Sequence, residues 1–126
     1  MDDEARERQR AADAIAVGRI RSGDPGAFDA LYDTWSGRVF DLARRIVRDE
    51  SLAAEITQDA FTKAWNNLAS LQDPASFGGW LLRITRNASL NAVRNQGHDL
   101  PTEPETLTRI EATVASTTTE DRLTLA

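Results

Sequence analysis

The feature that most constrains this chain is a run of apolar residues between positions 28 and 46. Phe28, Leu31, Tyr32, Trp35, Val39, Leu42, Ala43 and Ile46 follow one another at steps of 3, 1, 3, 4, 3, 1 and 3. That rhythm puts all eight on one face of a helix and is incompatible with a strand, whose faces alternate every residue. Asp24-Pro25 reads as the start of this helix, with Asp as N-cap and Pro at the first helical position. Arg44, Arg45 and Arg48 fall near its end, where cations suit the helix dipole. Gly37 weakens the helix without ending it.

The same reading extends to both sides. Residues 9–22 place Ala11, Ile15 and Ile20 at loosely helical spacing, and Ser22-Gly23 closes that segment. Ser51 is the expected N-cap of a helix over about 51–69. There Leu52, Ile56, Ala60, Ala64 and Leu68 form a stripe with Phe61 and Trp65 beside it. Asp73-Pro74, Ser76 and Gly78-Gly79 are loop signals, the glycine pair read as backbone freedom. A last helix over about 77–96 carries Phe77, Trp80, Leu81, Ile84 and Ala88, with Gly97 as its C-cap. The fold expected is therefore all-α, a compact helical domain of three main helices plus an N-terminal one. Beyond Gly97 the composition turns to Thr, Pro and acid. Residues 98–126 read as a flexible linker, with TTEDRLTLA resembling the start of a further domain.

Charge adds a second pattern. The 126 residues carry a formal charge of −5, which taken whole argues against nucleic acid. Split along the chain, residues 98–126 hold 6 acids and 2 bases, and residues 1–97 hold 14 acids against 13 bases. Within the latter, 49–73 carries Asp49, Glu50, Glu55, Asp59 and Asp73 against Lys63 alone. Residues 74–97 carry Arg83, Arg86 and Arg94 and no acid. Two surfaces of opposite sign imply two kinds of partner.

Little else in the chain suggests catalysis. There is no cysteine and one histidine, His98. That excludes thiolate metal sites, disulfides and a cysteine nucleophile. His98 reads as a solvated linker residue. Glu55 and Asp59 sit at i, i+4 and in principle make a metal or acid–base pair, but no EF-hand loop or second carboxylate pair accompanies them. No apolar run approaches the roughly 20 residues of a membrane span, and MDDEARERQR lacks the apolar core of a secretory leader. No cofactor and no metal are expected. The segment SFGGWLLRITRNASLNAVRNQ is different. It interleaves Phe77 and Trp80 with arginines and amides, and Arg83, Asn87, Asn91 and Arg94 share one helix face. Arginine holds phosphates, asparagine reads base edges, and aromatic planes accept unstacked bases.

Three pieces in order then carry a resemblance: GDPGAFDALYDTWSGRVFDLARRIVRD, AAEITQDAFTKAWNNL and FGGWLLRITRNASLNAVRN. Together, over about residues 10–97, the chain resembles region two of the bacterial extracytoplasmic-function sigma factors. The resemblance implies a cytoplasmic, non-enzymatic protein that binds core RNA polymerase and directs it to promoters. It implies that Glu55, Gln58, Asp59 and Thr62 face the clamp helices of the β′ subunit. It further implies that the loop and last helix melt the minus-ten element and hold the single-stranded non-template strand. In that reading Asp73, Ser76 and Phe77 help form a base pocket, Trp80 lies near the melting edge, and Asn87 lies near a base. Arg83, Arg86 and Arg94 lie near phosphates. An anti-sigma factor is a further implied partner. Two departures stand out: Asn91 where the family commonly has an acid, and Asn95-Gln96 where further arginines are common. The alternative is a helical protein–protein adaptor without DNA binding.

Overall fold

The computed structural model describes residues 2–95. Four helices run through it: α1 (Asp3–Arg21), α2 (Phe28–Val47), α3 (Glu50–Asn66) and α4 (Phe77–Asn95). Short 3₁₀ turns at Pro25–Ala27, Leu68–Ser70 and Pro74–Ser76 link them. The all-α expectation is met, with four helices and no strand among the described residues. Gly97, His98 and the linker lie outside them.

Several helix ends differ from the sequence reading, each for a local reason. The first helix begins at Asp3, not near residue 9. Asp2 caps it by accepting the Ala5 N–H at 2.7 Å, and Asp3 and Glu4 sit in the first turn, where acids suit the dipole. It ends as expected at Ser22 and Gly23. The Gly23 N–H reaches the Ile20 carbonyl and the Asp24 N–H the Arg19 carbonyl, while Gly23 takes φ +102°. That is the Schellman closure, which favours glycine at this position. Asp24 does not cap α2: its side chain makes no capping bond, and Pro25 starts a 3₁₀ turn before the helix proper. The cap of α3 is Asp49 and not Ser51, since the Asp49 carboxylate accepts the Leu52 N–H at 3.0 Å.

The apolar stripe of α2 is the spine of the fold. Leu31, Trp35, Val39, Leu42, Ala43 and Ile46 are buried, and Phe28 and Tyr32 are half-buried at its start. The contacts set the helix directions. Phe28 meets Phe77 at 6.5 Å between ring centroids, and Leu42 and Ile46 cluster with Leu82, Leu90 and Val93. Thus α2 and α4 run parallel. Phe28 also meets Phe61 at 6.1 Å, whereas Ala43 clusters with Ala53 and Ile56, so α3 runs antiparallel to α2. Ala53, Ala60 and Ala64 are fully buried, and their small side chains let α3 lie close.

Polar groups enter this interior where the backbone or a partner satisfies them. On α4, Thr85 and Ser89 are fully buried and donate to the carbonyls of Leu81 and Thr85 at 2.9 and 2.8 Å. On α1 the expected face holds only at Ile20, which packs against the core. Ile15 is 60% exposed and Ala11 is exposed, while Asp13, Ala16 and Val17 are buried. Asp13 turns inward because its carboxylate accepts the Trp35 Nε1–H at 3.1 Å and the Gln9 amide at 2.7 Å. Burial pushes the Asp13 carboxyl above its ordinary value; the Gln9 and Trp35 hydrogen bonds and the Arg38 charge offset part of that push.

Gly78 is not a loop residue. It lies in the first turn of α4, and a Cβ there would fall inside the Trp35 ring. Arg38 covers that ring from 4.8 Å. Arg21 reaches the carbonyls of Leu68 and Leu71, and Arg10 lies 3.8 Å from Asp73. The first helix is thereby bound to the segment leading into α4.

The two helical glycines at positions 78 and 37 respond oppositely to a methyl group. Gly78→Ala destabilises by about 1–3 kcal/mol through overpacking. Gly37→Ala, at an exposed helical site with open space, stabilises by about 0.5–1 kcal/mol. Urea denaturation of the two variants measures both. For Asp13, the raised carboxyl means the folded state holds a proton more tightly than the unfolded chain, whose ordinary value is 3.8. Its contribution is therefore fullest below that value and falls as pH rises through the raised one. Asp13→Asn removes this dependence. The stability of the native protein relative to D13N declines as pH rises from acid toward neutrality, as denaturation at a series of pH values reads out.

Candidate functional site

Two separate faces collect the residues singled out from the sequence. The first is the outward side of α3. Its inward positions Ala53, Ile56, Thr57, Ala60, Phe61 and Ala64 recur at helical spacing, which leaves Glu55, Gln58, Asp59 and Thr62 in solvent. All four are exposed, as expected. Gln58 is also anchored, its amide donating to the Tyr32 hydroxyl at 3.2 Å. Behind it the Tyr32 ring rests 4.6 Å from Phe61, and Phe28 meets Trp65 edge-on at 5.1 Å. Trp65 is 43% exposed, so an aromatic edge borders the acidic face; the sequence stripe had placed it beside the core. Among the described residues no group of three or more His, Asp or Glu gathers to hold a metal ion.

The second face starts at the Pro74–Ser76 turn and continues along α4. Asp73 organises the turn. One carboxylate oxygen accepts the Ala75 N–H at 3.1 Å, the other accepts the Ser76 hydroxyl at 3.0 Å, and the second also faces Arg10. Ser76 and Phe77 are fully buried. Of the three residues expected around a base, only Asp73 reaches the surface; Ser76 and Phe77 lie beneath it. Trp80 is half-buried, its ring 6.0 Å from Phe77. Arg83 and Arg86 are half-buried, and Asn87, Asn91 and Arg94 are exposed. Arg86 reaches the Asn87 carbonyl oxygen at 3.5 Å, and Arg94 reaches that of Asn91 at 3.4 Å. Each arginine orients an amide beside it. The face thus presents a ring, guanidinium groups and amides, and between Trp80 and Arg94 it holds no acid.

Sequence reasoning passed over the residues that brace these faces. Asp13, Arg10 and Arg21 act through the fold, and only the rarity of a buried acid or a long-range arginine–carbonyl bond reveals them. It also read Arg44, Arg45 and Arg48 only as partners of the helix dipole. They line a groove of about 720 Å³ with Asp41 and Glu50.

An all-α domain with one acidic face and one face of arginine, amide and tryptophan is the class the structure defines. The sequence model of the family described as Sigma-70 region 2 matches residues 31–98. The chain belongs to that family. It is 33% identical over 89 residues to an RNA polymerase sigma-H factor of Pseudomonas aeruginosa, covering 71% of this chain and 46% of that protein. It is 30% identical over 95 residues to an ECF RNA polymerase sigma-E factor of Haemophilus influenzae, covering 75% and 50%. It is 36% identical over 77 residues to a probable RNA polymerase sigma factor, RfaY, of Xanthomonas campestris, covering 61% and 19%. The chain thus spans half the length or less of these relatives. No solved structure matches it significantly. Among the described residues no helix is long and apolar enough to cross a membrane.

The geometry separates structural from surface roles. Asp73→Ala removes a cap and the acceptor of a buried hydroxyl, and destabilises by about 1–2 kcal/mol. Glu55→Lys with Asp59→Lys leaves helicity unchanged, because both side chains stand in solvent. Circular dichroism and urea denaturation test the pair.

Proposed function

We propose that this chain is the part of a sigma factor that binds core RNA polymerase and that recognises and melts the minus-ten promoter element. The observation that carries this reading is the match of a sigma region to the segment bearing two exposed faces of unlike chemistry. Glu55, Gln58, Asp59 and Thr62 receive the clamp helices of the β′ subunit, and the Gln58–Tyr32 bond holds one of them in place. The α4 face receives the non-template strand. Asn87 and Asn91 meet base edges, Arg83, Arg86 and Arg94 meet phosphates, and Trp80 stacks at the melting edge. Asp73 contacts the flipped base, supported from beneath by Ser76 and Phe77. Flipping a base costs a few kcal/mol, and stacking together with phosphate contacts offsets it. No step is enzymatic in this domain; RNA synthesis belongs to the polymerase. The site of action is the cytoplasm, and an anti-sigma factor is a partner that would cover one of the two faces.

Core polymerase is expected to co-purify with the full chain, and the Glu55→Lys/Asp59→Lys variant to lose it at least tenfold. Single-stranded minus-ten-like oligonucleotides are expected to bind weakly, with Asn87→Ala weakening them further. Three phosphate contacts give a salt slope of about −2 for a single strand. Retained polymerase without any oligonucleotide binding, alone or in the complex, would leave an adaptor. Loss of both would sink the reading.

A further inference from the structure

The groove between the end of α2 and the start of α3 belongs to neither face. Asp41, Arg44, Arg45, Arg48 and Glu50 line it. Arg44 is engaged, 3.8 Å from Glu50. Arg45 and Arg48 are exposed and have no side-chain partner among the described residues. Arg48 also occupies an unusual place. It is the C-cap of α2 and takes the left-handed conformation at φ 57°, alone among non-glycine described residues. Glycine holds such a turn without strain. Complementing the dipole of α2 needs only the arginines of its last turn, Arg44 and Arg45, so it does not account for Arg48.

The groove's position supplies its ligand class. Since α2 and α4 run parallel, their C-termini share one end of the bundle, where Ile46 clusters with Leu90 and Val93. Arg94 is exposed on that same last turn of α4. Arg45 and Arg48 therefore add two exposed guanidinium groups, on a second helix, at the same end of the bundle as Arg94. A strand lying along α4 meets one row. A duplex receiving the end of α4 in its major groove, about 12 Å wide, has phosphates on both sides. We propose that the Arg45–Arg48 groove is a second phosphate-binding site, which holds the backbone of double-stranded DNA flanking the melted segment. Arginine forks suit phosphate oxygens, and the groove's two carboxylates, Glu50 paired with Arg44 and Asp41 on its wall, limit how many phosphates enter. This inference rests on the DNA role proposed for α4.

The test compares two probes on the full chain. One is a fork with a duplex arm next to a single-stranded minus-ten-like segment, and the other is the single strand alone. Binding is followed by fluorescence anisotropy over a salt series, with and without core polymerase. The variant is Arg45→Gln/Arg48→Gly, in which glycine suits the left-handed turn, so folding is kept; a thermal melt verifies this. On the fork, the salt slope is expected to lose about 1.8, two contacts at about 0.9 each for duplex DNA. On the single strand the slope stays as it is. An unchanged fork slope overturns the groove proposal alone, and so does an equal loss on both probes. Failure of the unsubstituted chain to bind either probe, alone or with polymerase, overturns this proposal together with the DNA role of α4.

Discussion

The indole of Trp35 is the contact on which three of the four helices depend. Its N–H is donated to Asp13 of α1, its ring lies against the bare Cα of Gly78 in α4, and Arg38 of its own helix covers it. Each of these needs the others. A buried carboxylate without donors is costly, and an indole N–H without an acceptor is too. The close approach of α4 holds only while residue 78 has no side chain. Dense interiors tolerate little change of volume, so a single methyl at this crossing is enough to disturb it.

From that centre the bracing runs outward to the surfaces. The first helix binds the Leu68–Leu71 backbone through Arg21 and the Asp73 turn through Arg10. Asp73 in turn sets Ser76, and Ser76 leads into Phe77, against which Trp80 rests. The surface chemistry of α4 therefore depends on interior contacts made by a helix that carries none of it. On the other side, Tyr32 and Phe28 of α2 support Gln58 and Trp65 of α3, so the spine helix supports both faces.

Much of this was legible in the linear pattern, and the reasons are physical. The α2 stripe survived intact because eight apolar residues at one period leave a single buried face. The exposed α3 residues followed from the same argument applied to its neighbour. The failures came where a polar group replaces an apolar one. Asp13 occupies a core position that hydropathy assigns to Ile15, and only the Trp35 partner explains it. Asp49 outcompeted Ser51 as a cap because the chain turns sharply after Arg48. Gly78 looked like a loop residue because a glycine demanded by a neighbouring ring and one demanded by a turn are identical in sequence. The pattern did not tell how deep Ser76 and Phe77 lie, and both are fully buried. Burial within one turn of helix depends on packing partners more than 40 residues away.

The match to Sigma-70 region 2 begins at Leu31, whereas Asp13, Arg10 and Arg21 all precede it. The bracing helix thus lies outside the segment that the family model matches. A scaffold arranged in this way can vary in stiffness without any change to the residues that meet its partners. The α1 helix acts as a splint, and each of its few long-range bonds alters how readily the turn before α4 yields.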